Sequence, residues 1–157
     1  MKVLFLDIDG VVNCASTWQR HGVVIGIDPL MAARVAKIQL DTGCEVVLSS
    51  SWRSFTELRA AVESQVVKLL DITPVWPTAA GIRGDEVNAW LDVHPEVTRH
   101  AIVDDATDFY PDQPVFKTEW ETGLTDEIAE RITDYLNRGN DLAARDPDDA
   151  TAPGGQS

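Results

Sequence analysis

Three polar clusters in this chain carry the residue types of phosphate chemistry, and each follows an apolar run. "LFLDIDGVVN" puts Asp7 and Asp9 two residues apart behind the run 3–6, with Gly10 next. "VVLSSSWR" puts Ser49, Ser50, Ser51 and Arg53 behind a second run, and "IVDD" puts Asp104 and Asp105 behind a third. Carboxylates at i and i+2 of an extended chain project to one side. Gly10 lets the backbone turn sharply or approach a ligand closely. Three or four converging carboxylates repel unless they are neutralised, and a hard divalent cation is the common solution. Oxygen-only ligands favour magnesium over zinc. A serine hydroxyl and nearby backbone N–H groups can hold phosphate oxygens, and an arginine adds a fixed positive fork.

Those clusters need elements to position them. The runs 2–6, 45–48 and 101–103 read as short, fully buried strands, and a fourth strand is expected at 115–116. Residues 13–27 show no helical period and carry two glycines, so a loop or small flap is expected. Asp28 and Pro29 read as a helix start, Met31, Val35 and Ile38 as its inner face, and Gly43 as its stop. Ser54 with Glu57 forms a capping-box pattern. Phe55, Leu58, Val62, Val66 and Leu69 continue it at helical spacing. Residues 71–84 read as a loop with a short strand near 73–76. Helices are expected over 85–92, with Val87, Trp90 and Leu91 inward, and after Thr125, with Ile128, Ile132, Tyr135 and Leu136 inward. Alternating strands and helices imply a three-layer α/β/α sandwich around a parallel, Rossmann-like sheet. Ligands bind such sheets at the carboxyl ends of the strands, where all three clusters fall.

Bulk properties narrow the function. The length of 157 residues suits one domain. The boundaries read as a folded unit over 1–138 and an acidic, disordered tail over 139–157. No apolar run reaches the roughly 18 residues of a membrane span, and the first is too short for a signal peptide. Cys14 and Cys44 stand in no metal spacing, which points to a reducing, cytoplasmic setting. A net charge of −13 argues against an extended groove for duplex nucleic acid. It leaves room for a substrate presenting one phosphate to a local basic patch of Arg53, Arg83 and Lys117.

"VLFLDIDGVVN", "VVLSSSWR", "RGDEVNAWL" and "IVDDATDF" come in the order of the four motifs of the haloacid dehalogenase (HAD) superfamily. Together they resemble most closely the HAD domain of the Swiss-army-knife RNA repair group. The resemblance implies a HAD-like core and a phosphatase that needs Mg2+, and the short segments after the first motif (10–28) and between the second and third motifs leave room for a minimal cap or none. Asp7 would be the nucleophile that becomes an aspartyl-phosphate. Asp9 would act as general acid and then general base, and its backbone carbonyl would bind the metal. Ser49 would bind the transferring phosphoryl group, helped by Ser50. Arg83 would take the place of the family's third-motif lysine, with Lys117 as a rival out of order. Asp105 would be a direct metal ligand and Asp104 a second or water-mediated one.

Other readings stand beside these. Arg53, at the mouth, serves either a substrate phosphate or a structural ion pair. Trp18 and Trp52 either stack on a base or simply pack. Asp108 either steers the metal or sits in a solvated turn. The substrate implied is a nucleotide or a polynucleotide end. The alternatives are a small-metabolite phosphatase or a non-catalytic acidic interaction module that mimics nucleic acid.

Overall fold

The computed structural model describes residues 1–21, 26–75 and 81–138, apart from the side chains of Trp18 and His21. The expected tail over 139–157 lies outside these residues. Five strands form one parallel sheet: β1 (Lys2–Leu6), β2 (Glu45–Leu48), β3 (Asp71–Ile72), β4 (Arg99–Asp104) and β5 (Val115–Lys117). Their spatial order is β3-β2-β1-β4-β5, with β1 at the centre. Helices α1 (Ala15–His21), α2 (Pro29–Thr42), α3 (Thr56–Gln65), α4 (Arg83–Asp92) and α5 (Asp126–Asn137) connect or flank them.

The strands read as unbroken apolar runs because both sheet faces are covered. Leu4, Leu6, Val46, Leu48, Ala101 and Val103 pack under Met31, Val35 and Ile38 of α2, Val62 of α3, and Ile132 and Leu136 of α5. Val3, Phe5, Val47 and Ile102 face the other way, onto Val87 and Trp90 of α4. Phe5 and Trp90 meet edge to face at 5.4 Å between centroids. Such a pair contributes about 0.5–1.5 kcal/mol beyond its buried area.

Local chemistry starts and stops the helices. The Asp28 carboxylate accepts from Leu30 N–H, and Pro29 opens α2, where its missing N–H costs nothing. Gly43 ends α2 at φ 66°, a left-handed cap that a Cβ would oppose. Thr125 caps α5 through Ile128 N–H.

The structure corrects four expectations. Residues 15–21 are a helix, not a loop: Thr17 Oγ1 accepts from Cys14 N–H at 3.0 Å and nucleates a turn that needs no apolar period. Ser54 does not cap α3. It ends a 3₁₀ turn over Ser51–Ser54, which Ser50 caps by accepting from Trp52 N–H, and Phe55 precedes α3 with no side-chain cap. Helix α3 stops at Gln65, so Val66 and Leu69 pack from the following segment. The short strand lies at Asp71–Ile72, before the expected 73–76; residue 76 itself lies outside the described residues.

Candidate active site

Strand register builds the site. Leu6 pairs with Leu48 on one side and Val103 on the other, and Asp104 pairs with Lys117. The ladder continues one residue past β1 and β2, with Ser49 N–H donating to Leu6 O and Asp7 N–H to Val103 O. Ser49, Asp7, Asp104 and Lys117 therefore form one row across the carboxyl ends of four neighbouring chain segments. Asp7, Ser49 and Asp104 are all buried.

Arg83, the first residue of α4, reaches into this row. Its Nη1 lies 2.7 Å from Asp104 Oδ2 and 3.1 Å from Asp7 Oδ1. Lys117 Nζ instead sits 3.6 Å from Glu119 on the exposed rim. The ion pair that touches Asp7 is thus made by Arg83. Asp108 secures that approach: its carboxylate accepts from Arg83 N–H at 3.0 Å and its carbonyl from Gly84 N–H. Burial alone would lower the Arg83 pKa, but Asp7 and Asp104 outweigh it and hold it above the ordinary arginine value.

Asp105 lies against Gly10. That glycine has φ 80°, and a Cβ there would collide with the Asp105 carboxylate. Asp9 is gripped at both oxygens, by Asn13 Nδ2 at Oδ1 and by Trp52 Nε1 at Oδ2, each at 2.9 Å. Trp52 is buried, and its indole N–H is committed to Asp9. Sequence reasoning missed both partners. Asn13 stands in the quoted stretch four residues from Asp9, but no spacing rule links Trp52 to it across 43 residues.

Arg53 is also buried, and it pairs with Glu86 at 2.7 Å while donating to Ser49 O at 2.7 Å. The hydroxyl of Ser49 is buried with no protein hydrogen-bond partner, as is that of Thr73, and so can donate to a bound group. Ser50 sits beside Asp7, its hydroxyl within hydrogen-bonding reach of that carboxylate. The three histidines take no part among the described residues: His94 stacks on Trp90, His100 packs on Phe5, and the His21 side chain is not described.

Residues 3–129 match the family model for the HAD domain in Swiss Army Knife RNA repair proteins. The chain belongs to that family. No curated protein and no solved structure matches it. Membership supports a HAD-type phosphatase in general terms, and the matched span holds every site residue named above.

In this HAD domain the donor set fits a hard cation. Asp7, Asp104 and Asp105 each offer a carboxylate oxygen, all within 4.8 Å of one another, with no sulfur or imidazole among them. Burial, then the charge of Asp7, pushes Asp104 up to about 7 against the pull of Arg83. Burial also raises Asp7 and Asp105.

This has a sign. A raised carboxyl pKa means the folded chain keeps protons that the unfolded chain has released above about 3.8. For Asp104 the contribution to stability is full below that value and is lost as pH rises through about 7; Asp7 and Asp105, also raised, act in the same direction. In EDTA, the Tm should therefore fall from pH 5 to pH 8. A divalent cation held by these carboxylates would raise it more at pH 8 than at pH 5, because carboxylates bind a cation deprotonated. Differential scanning calorimetry checks both slopes, and Asp104→Asn should flatten the EDTA profile. A Tm in EDTA that climbs steadily to pH 8, equally in Asp104→Asn, would contradict this reading.

Proposed function

We propose that this protein is a magnesium-dependent phosphomonoester hydrolase working through an aspartyl-phosphate on Asp7, with a nucleotide or nucleic-acid terminal phosphate as substrate. The observation that carries the reading is the single row in which the unpartnered Ser49 hydroxyl flanks Asp7 while Arg83 bridges Asp7 to Asp104.

The placement of each side chain supports the following steps. Ser49 Oγ–H donates to an oxygen of the incoming phosphoryl group. Arg83 offsets charge on both Asp7 and the phosphate, which would otherwise repel. Asp7 Oδ attacks phosphorus; the P–O bond to the leaving alcohol breaks, and Asp9 gives that oxygen a proton. Asp9 then takes a proton from water, which attacks the phosphorus of the aspartyl-phosphate; the P–O bond to Asp7 breaks, inorganic phosphate leaves and the Asp7 carboxylate is restored. Asn13 and Trp52 hold the Asp9 carboxylate in one orientation for both transfers. A divalent cation bound by Asp7, Asp104, Asp105 and the Asp9 carbonyl would supply further neutralisation of the phosphoryl oxygens.

The direct test is phosphate release from an aryl phosphate with Mg2+, then with EDTA. Turnover should appear with Mg2+, vanish in EDTA and return on adding Mg2+ back. Absence of turnover with Mg2+, for a folded protein and across nucleotides, sugar phosphates and phosphorylated oligonucleotides, would overturn the proposal.

A further inference from the structure

The two segments that carry the acidic cluster lose their ladder where the carboxylates begin. Among the described residues, the last backbone bond between β1 and β4 runs from Asp7 N–H to Val103 O. Beyond it stand Asp9, Gly10 and Asp105, and like charges there push the two segments apart. Thr118, the residue after β5, ties them together. Its N–H donates to Asp104 O at 3.0 Å, and its hydroxyl donates to Gly10 O at 2.7 Å. The residue is fully buried. It reaches from β5, past the end of β4, to the loop after β1, although β5 and β1 are not neighbours in the sheet.

Gly10 is where such a tie has leverage. At φ 80° it lies so close to Asp105 that a Cβ would come within 2.3 Å of that carboxylate. Its N–H donates to Asn13 Oδ1 at 3.0 Å, and Asn13 in turn donates to Asp9. With the Thr118 bond, both peptide groups of Gly10 are held, including the one that carries the Asp9 carbonyl. Two backbone bonds clamp the same loop to the segment that Thr118 opens. They run from Leu124 N–H to Val11 O at 2.9 Å and from Ala15 N–H to Trp120 O at 2.8 Å. The Glu119–Gly123 bridge closes that segment into a turn. Thr118 contributes a side chain to this clamp, so its part can be removed alone.

We infer that Thr118 is a positioning residue for the cation. It fixes the spacing between the Asp7–Gly10 loop and the Asp104–Asp105 strand end, and through that spacing favours Mg2+ over the larger Ca2+. The inference rests on the cation site of the phosphatase reading above and adds to it a residue outside the four sequence motifs. Mg2+ demands near-ideal octahedral ligation, whereas Ca2+ accepts longer and less regular contacts. Three carboxylates held within 4.8 Å by a buried tie suit the more demanding ion. Loosening the tie therefore costs Mg2+ more than Ca2+.

Isothermal titration calorimetry with Mg2+ and, separately, Ca2+ tests this on the full chain, in the parent, Thr118→Val and Thr118→Ser. Valine keeps the shape and removes the donor; serine keeps the hydroxyl. Thr118→Val should weaken Mg2+ binding about tenfold or more, as loss of a group that orients metal ligands does, with a clearly smaller loss for Ca2+. Thr118→Ser should bind both ions as the parent does. If Thr118→Val fails to fold, Thr118→Ala is read by the same criteria.

A smaller loss for Mg2+, an equal loss for both ions, or a serine variant as weak as the valine one would overturn the inference. An equal loss is the mark of a side chain that merely supports the fold. The two possible failures are distinct. A parent that binds Mg2+ and a Thr118→Val variant that binds it equally well sink only the role of Thr118. A parent that binds neither ion sinks the magnesium-dependent reading and this inference together.

Discussion

Asp7→Asn is expected to lower kcat by about 10³-fold or more while the fold survives, because an amide nitrogen and a neutral carbonyl cannot replace the attacking carboxylate. The substitution is close to isosteric, and it removes a buried negative charge whose neighbour, Asp104, is itself pushed up to about 7. Arg83 keeps its 2.7 Å partner Asp104, so the α4 terminus has no cause to move. Loss of activity would thus reflect chemistry and not collapse. Two readouts check it. The circular dichroism spectrum should match the parent and the Tm in EDTA should not fall below it, and rapid quench during turnover should show a phosphoryl adduct by mass in the parent and none in Asp7→Asn. Activity of Asp7→Asn within tenfold of the parent would exclude Asp7 as nucleophile.

Replacing Asp9 by asparagine has a different signature, one that depends on the leaving group. General acid–base help is typically worth about 10²–10⁴-fold. A nucleoside alcohol leaves as a strongly basic oxyanion and needs the proton; a nitrophenolate does not. In Asp9→Asn the first step should collapse for a nucleoside monophosphate but persist for nitrophenyl phosphate. Water attack then lacks its base with either substrate. The expected trace with nitrophenyl phosphate is a burst of about one phenolate per enzyme followed by slow turnover, with phosphorylated Asp7 accumulating. Stopped-flow absorbance measures the burst. Equal losses on both substrates with no burst would remove the proton-transfer role. The introduced amide keeps an oxygen for one of the donors Asn13 and Trp52 and turns its NH2 toward the other, so an unchanged circular dichroism spectrum must accompany the burst.

Much of the fold could be read along the chain. Buried parallel strands produce unbroken apolar runs, so β1, β2 and β4 stood out by composition alone. Helices α2 and α5 carried their own start signals in Asp28-Pro29 and Thr125. What escaped were elements without an apolar period. Helix α1 is seven residues long and is begun by a Cys14–Thr17 turn, and the 3₁₀ turn at Ser51–Ser54 displaced the start of α3 past the apparent capping box. Both are set by local side-chain-to-backbone bonds that compete with the patterns used to find longer helices.

The same division runs through the candidate site. The sequence by itself determined which residue types gather at the strand ends, because a parallel sheet sends every such end to one edge. It determined the charge of −13, which argues against a broad basic groove. Tertiary structure decided which side chains touch. Register put Ser49, Asp7 and Asp104 in one row. The docking of α4 brought Arg83, and not Lys117, onto Asp7. Packing of Trp52 beside the strand ends turned an ordinary core indole into a donor to Asp9, and pairing with Glu86 engaged Arg53. Each of these is a contact between residues far apart in the chain, selected by the geometry of close packing, and no spacing along a single strand or helix encodes it.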